Sequence, residues 1–262
     1  MRKWASILAL LLVMAWHSAG QPGQTKQIPS PDPTSDNSSL AAKPFTVTTA
    51  DGKTVITIDS SEAPELADWA VHKLAPVLSD WYPKIVSLLP SSNFTAPTAI
   101  HVIIRPMDGV AYTTGMEINV SAQWCAAQMN GEAIGSVVHE LVHVVQHYGD
   151  ARVPGWLVEG MADYIRWFQY EPQSHGADMD WLRKHGKNFT PRYDAGYRQS
   201  ANFLNWLVTQ YGPAIVPAVN AAAREGKYSD DFWRPQTGKA LPELGAEWKE
   251  EIETQLHPHA GQ

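Results

Sequence analysis

The sequence predicts an α+β fold: a small mixed sheet, then a helical half, with the helix that carries His139 and His143 between them. Two observations support this. Runs of alternating β-branched residues all lie before residue 122, and from about residue 132 apolar residues recur at helical spacing. A length of 262 residues suits one compact domain plus end segments.

Residues 1–20 read as a signal peptide: Arg2 and Lys3, an apolar stretch from Trp4 to Trp16, and the small residues Ser18-Ala19-Gly20. The expected destination is extracytoplasmic, secreted or periplasmic. Residues 21–43 are rich in Pro, Ser, Gln, Asp and Asn and nearly devoid of large apolar side chains, which predicts a disordered linker. The folded domain is expected over 44–255, followed by a polar tail at 256–262.

Within the domain, Phe45–Thr48 and Thr54–Ile58 alternate around Ala50-Asp51-Gly52, a hairpin pattern. Ser61 is expected to cap a helix from about Ala63 towards Leu89, which Pro76 and Pro83 break or kink. Ala99–Ile104 and Gly115–Ser121 read as strands. A helix is expected from about Glu132 to His147, ending at Tyr148-Gly149. Pro154 and Gly155 introduce a second, to about Trp167. Helices follow over Tyr197–Val208 and Ala214–Ala223, and a last amphipathic one carries Leu241, Leu244, Trp248 and Ile252.

The chemistry is concentrated in Val138-His139-Glu140-Leu141-Val142-His143 and Glu159-Gly160-Met161-Ala162-Asp163. His139 and His143 lie on one helix face, roughly 6 Å apart along the axis, so both rings can reach one ion. Glu140 can reach a water on that ion without binding the metal itself. A metzincin continuation needs Gly at 146 and His at 149, where this chain has Gln146 and Gly149. His147 lies about 12 Å along the axis from His139, too far to share the ion. Glu159 on the next helix remains as the candidate third ligand. Asp163, one turn later, can accept the outer N–H of a liganding histidine. This is the gluzincin pattern of a zinc hydrolase, and one zinc per chain is favoured over manganese or cobalt by ligand type and availability.

From about Trp81 to Ile252 the chain resembles the basic secretory protein family of plant and bacterial peptidases. The resemblance is carried by Trp81-Tyr82-Pro83-Lys84-Ile85, Gly135 through Gln146, Pro154 through Arg166, Gly196 through Leu204, and Tyr228-Ser229-Asp230-Asp231-Phe232-Trp233. It implies a zincin-like metallopeptidase fold and a secreted peptidase, with His139, His143 and Glu159 as ligands and Glu140 as catalytic base. Tyr197, in the family-like Gly-Tyr-Arg segment, is the first choice for a hydrogen-bond donor to the transition-state oxyanion. Tyr193, Tyr148 and His185 compete, and a packing role for Tyr197 stands beside the catalytic one. In gluzincin folds the strand just upstream of the histidine helix forms the sheet edge that holds substrate, which points to Asn119 and Ser121; an ordinary core strand is the alternative.

Despite the family's name, the chain is acidic, with formal net charge −7. Without Arg2 and Lys3 it has 18 basic against 27 acidic residues. That argues against binding nucleic acid or anionic lipid, and the expected partner is a peptide or protein substrate. Once the leader is removed, no membrane association is expected. The single cysteine, Cys125, permits no intrachain disulfide and reads as a small buried hydrophobe. Asn37, Asn93, Asn119 and Asn188 begin glycosylation sequons. Nothing indicates an oligomer, so a monomer is expected. The contrasting functional class is a binding or defence protein that keeps zinc for structure; loss of the base would mark it, and Glu140 is present. Hydrolysis directed at glycans is a third reading, which needs an aromatic-lined cleft.

Overall fold

The computed structural model describes residues 43–185 and 190–256. The expected signal peptide, nearly all of the expected linker, and the tail from residue 257 lie outside the described residues, as does Asn188. The strands are β1 (Phe45–Thr48), β2 (Val55–Asp59), β3 (Ala99–Arg105), β4 (Ala111–Thr114) and β5 (Glu117–Ser121). They form one mixed sheet in the order β1-β2-β3-β5-β4. The outer pairs β1/β2 and β4/β5 are antiparallel, while β2/β3 and β3/β5 are parallel.

The predicted hairpin forms around Gly52, whose φ of 74° suits glycine. Thr49 Oγ1 accepts from the Thr54 amide at 3.0 Å and so helps close the turn. Between β2 and β3 the chain is helical in consecutive pieces: a 3₁₀ turn Pro64–Leu66, α1 (Ala67–Trp69), a π turn Ala70–Leu74, and α2 (Ala75–Leu88). Its cap is not Ser61, whose amide instead bonds Asp59 Oδ1. Pro76 is accommodated in the first turn of α2, directly after the π turn, and Pro83 lies inside α2 without ending it.

The helical half comprises α3 (Ala122–Gln128), α4 (Ala133–Gln146), α5 (Gly155–Tyr164), α6 (Met179–His185), α7 (Tyr197–Tyr211), α8 (Ile215–Arg224), α9 (Trp233–Thr237) and α10 (Leu241–Leu256). One face of the sheet presents Ile56, Ile58, Ile100, Val102, Ile104, Ile118 and Val120 to the core, all fully buried. Helix α4 packs against α2, β4, β5 and α5, and apolar residues on nearly every side bury it almost completely. It ends at His147, which itself adopts the left-handed conformation (φ 45°), two residues before the glycine expected to stop it.

Both ends of α4 are pinned. At its N-terminus, the Glu132 carboxylate receives Arg166 at 3.0 Å and Arg198 of α7 at 2.7 Å. At its C-terminus, Arg224 of α8 donates to Val145 O (2.7 Å) and Gln146 O (3.2 Å), carbonyls that the helix itself leaves unpaired. Helices α5 and α7 touch closely at Gly160, where an added Cβ would stand 2.5 Å from Ser200 Cβ.

Candidate metal centre

Helix α4 presents His139 and His143 one turn apart, and α5 brings Glu159 to them. His139 Nε2 and His143 Nε2 are 3.1 Å apart, and Glu159 Oε2 lies 3.2 Å from the first and 3.5 Å from the second. Three donors on a tetrahedral zinc, with bonds of about 2.0–2.1 Å, stand about 3.3–3.4 Å from one another. The three atoms therefore outline one face of such a tetrahedron. Their chemistry fits as well, since three carboxylates (Glu140, Glu159 and Asp163) converge on two imidazoles.

Each imidazole is held from behind. His139 Nδ1 donates to Asp163 Oδ1 at 2.7 Å, inside the core. His143 Nδ1 donates to Gln146 Oε1, also at 2.7 Å. These contacts leave both Nε2 atoms facing Glu159. Burial opposes a charged imidazolium at His139, but Asp163, Glu159 and Glu140 outweigh it and raise its pKa to about 10. Burial likewise opposes ionisation of Glu159, yet hydrogen bonds to His139 and His143 hold its carboxyl well below the usual carboxylate range.

Glu140 is buried next to His139 on α4, and Thr113 Oγ1 stands 2.7 Å from its Oε2 and 3.0 Å from its carbonyl oxygen. Tyr197 begins α7 with φ 46°, a left-handed conformation uncommon in a non-glycine residue. Its ring stacks beside His139, with centroids 6.1 Å apart and planes 17° apart. Partial burial, then the charges of Glu159, Glu140 and Asp163, raise its hydroxyl pKa to about 12. The competing residues make other contacts. Tyr148 bonds Asn220, Tyr193 packs with Trp156 and Phe203, and His185 bonds Trp181 O.

The strand expected at the sheet edge is corrected. β5 is paired on both sides, by β3 and β4, so Asn119 and Ser121 offer no free backbone edge. Asn119 is buried and bonds Glu117, while Ser121 bonds Met107 O and caps α3. The edge is β4, four residues between Gly109 and Gly115 that carry too short an alternation to register as a strand. Thr113 was missed for the same reason. Gln146 was also missed as a partner of His143, although its place three residues after that histidine on one helix face was a signal that could have found it.

Residues 62–248, more than half of the chain, match a family described as peptidase of plants and bacteria. No curated protein matches the sequence. Among solved structures, the fold is similar to a two-domain M1 zinc metallopeptidase variant bound to L-arginine, with TM-score 0.51, 14% identity, and coverage of 82% of this chain and 51% of that one. An M1 zinc metallopeptidase variant from Deinococcus radiodurans bound to a Tyr-Ser-Ala substrate has TM-score 0.49 and 16% identity, with the same coverage. This chain spans about half the length of either protein, and at 14% identity the likeness to the first is one of fold alone. The match over 62–248 takes in the two histidines of α4, the glutamate of α5 and the tyrosine that opens α7. The chain belongs to this family of plant and bacterial peptidases.

Proposed function

We propose that the protein is a secreted or periplasmic zinc-dependent endopeptidase that holds one zinc ion through His139, His143 and Glu159. The observation that carries this reading is the triangle of donor atoms with edges of 3.1, 3.2 and 3.5 Å. Bound there, zinc supplies a Lewis acid and lowers the pKa of a water to about 7.

The chain's own residues supply the rest. Thr113 fixes one oxygen of Glu140, leaving Oε1 to take the proton of the attacking water and pass it to the leaving amine. Asp163 keeps a proton on His139 Nδ1, so Nε2 is the ring atom that would give up its proton and offer a lone pair to the ion. Tyr197, beside His139, donates to the developing oxyanion, a contribution worth about 2.7–4 kcal/mol for one donor. The free edge of β4 pairs with an extended peptide and brings its carbonyl alongside Glu140. No covalent intermediate is required.

The test is metal content of the purified protein together with casein hydrolysis before and after chelation. About one zinc per chain, with activity lost on chelation and restored by zinc, is expected. A metal-free protein after a metal-sparing preparation would sink the ligand assignment.

A further inference from the structure

We propose that Gln146 is a positioning residue that couples the two ligand-bearing helices through a single amide. The inference rests on the proposed zinc site and concerns how this chain builds it. Gln146 is the last residue of α4 and is only 2% exposed, unusual for a glutamine at a helix end. Its two amide atoms face different elements. Oε1 accepts from His143 Nδ1 at 2.7 Å, and Nε2 donates to Val158 O at 2.9 Å. Val158 directly precedes Glu159. One side chain thus holds the second histidine and the backbone beside the third ligand.

The amide suits this position better than a carboxylate or a hydrocarbon. It must accept on one side and donate on the other, and only a primary amide of this length does both. The orientation is fixed as well, because Val158 O can only accept, so the amide nitrogen faces it and the oxygen faces His143. His143 must then donate from Nδ1, which leaves Nε2 as its lone-pair atom, pointing at Glu159. The backbone of Gln146 is held in turn, since its carbonyl accepts from Arg224 Nε. His139 is braced by an anion, Asp163, and His143 by a neutral amide, so the two ligands differ in the charge behind them.

Zinc affinity is to be measured on the full chain by competition with a chromophoric chelator, together with cobalt(II) absorption spectra and thermal melts of the metal-free proteins. Gln146→Met keeps the length and removes both hydrogen bonds, and zinc affinity is expected to fall about 10–100-fold. Gln146→Glu returns an acceptor to His143 but sets a carboxylate oxygen against Val158 O, so it is expected to recover only part of that loss, with cobalt bands displaced by the added charge. Parental affinity in either variant, or equal impairment in both, would overturn the proposal. If Gln146→Met does not fold, the cobalt spectrum of Gln146→Glu decides, and bands identical to the parent's would count against it. The parent's zinc content keeps the two readings apart: a parent that binds no zinc sinks the site, whereas a zinc-loaded parent with an unaffected Gln146→Met sinks only the role of Gln146.

Discussion

Thr113 Oγ1 stands 2.7 Å from Glu140 Oε2, so the outermost strand of the sheet and the histidine-bearing helix meet at one carboxylate. The surface that would pair with a peptide backbone and the group that would activate water are therefore mechanically one unit. Thr113→Val keeps the shape and removes the hydroxyl. A hydrogen bond to a charged group is worth about 1.5–3 kcal/mol, so kcat should fall roughly 10-fold or more. Thr113→Ser should restore it. Steady-state kinetics showing an unchanged kcat in the valine variant would remove Thr113 from the mechanism.

Glu140→Gln should retain zinc and thermal stability while kcat falls by about 10²–10⁴. Elemental analysis and a melt run beside the activity assay separate loss of the base from loss of the site. Full activity in this variant would refute general-base catalysis by Glu140.

Asp163→Asn keeps an oxygen near His139 Nδ1 but removes the buried negative charge. Zinc should dissociate about 10–100-fold more readily. A chelator-competition titration reads this directly, and an affinity equal to the parent's would make Asp163 a packing residue.

Cys125 is fully buried, and burial raises its thiol pKa to about 12. Folded protein at pH 8 should therefore resist iodoacetamide, while unfolded protein reacts at once. The linkage has a definite sign. The unfolded chain releases this proton near pH 9, while the folded chain keeps it until about 12. The thiol's contribution to stability is thus intact below pH 9 and lost as pH rises through 12. Denaturant melts of the parent and Cys125→Ala, compared at pH 8 and pH 10.5, should show the parent losing more stability with pH.

Arg224→Met strips α4 of the guanidinium that serves two of its last carbonyls, along with bonds to Leu89 O and Ser91 Oγ. Destabilisation of about 2–4 kcal/mol is expected in chemical denaturation. A change under about 0.5 kcal/mol would mean that water replaces these contacts at little cost.

Most of the helical half was legible because burying a helix demands an apolar face, and α4, α7, α8 and α10 all show one in sequence. The pairing of His139, Glu140 and His143 was legible for the same geometric reason, since a turn of helix fixes their spacing. Glu159 and Asp163 followed from the fixed interval on the next helix. Thr113 and β4 were not, because strand order is settled by partners far away in sequence. A four-residue strand flanked by glycines gives no sign that it will end a sheet or meet a carboxylate 27 positions later. Helix ends were equally opaque: His147 takes the left-handed turn that glycine usually takes, with Phe94 beside its ring and Arg224 holding the carbonyl before it.

The contact at Gly160 gives the centre a tolerance set by the absence of an atom. Gly160 follows Glu159 on α5, and Ser200 lies one turn after Tyr197 on α7, so the spacing between these helices also spaces Glu159 from the tyrosine. Even a methyl group at 160 would meet Ser200 Cβ at 2.5 Å and wedge the helices apart. The separation of Glu159 from Tyr197, on which the proposed metal centre depends, is thus set outside either side chain, where a hydrogen stands in place of a methyl group.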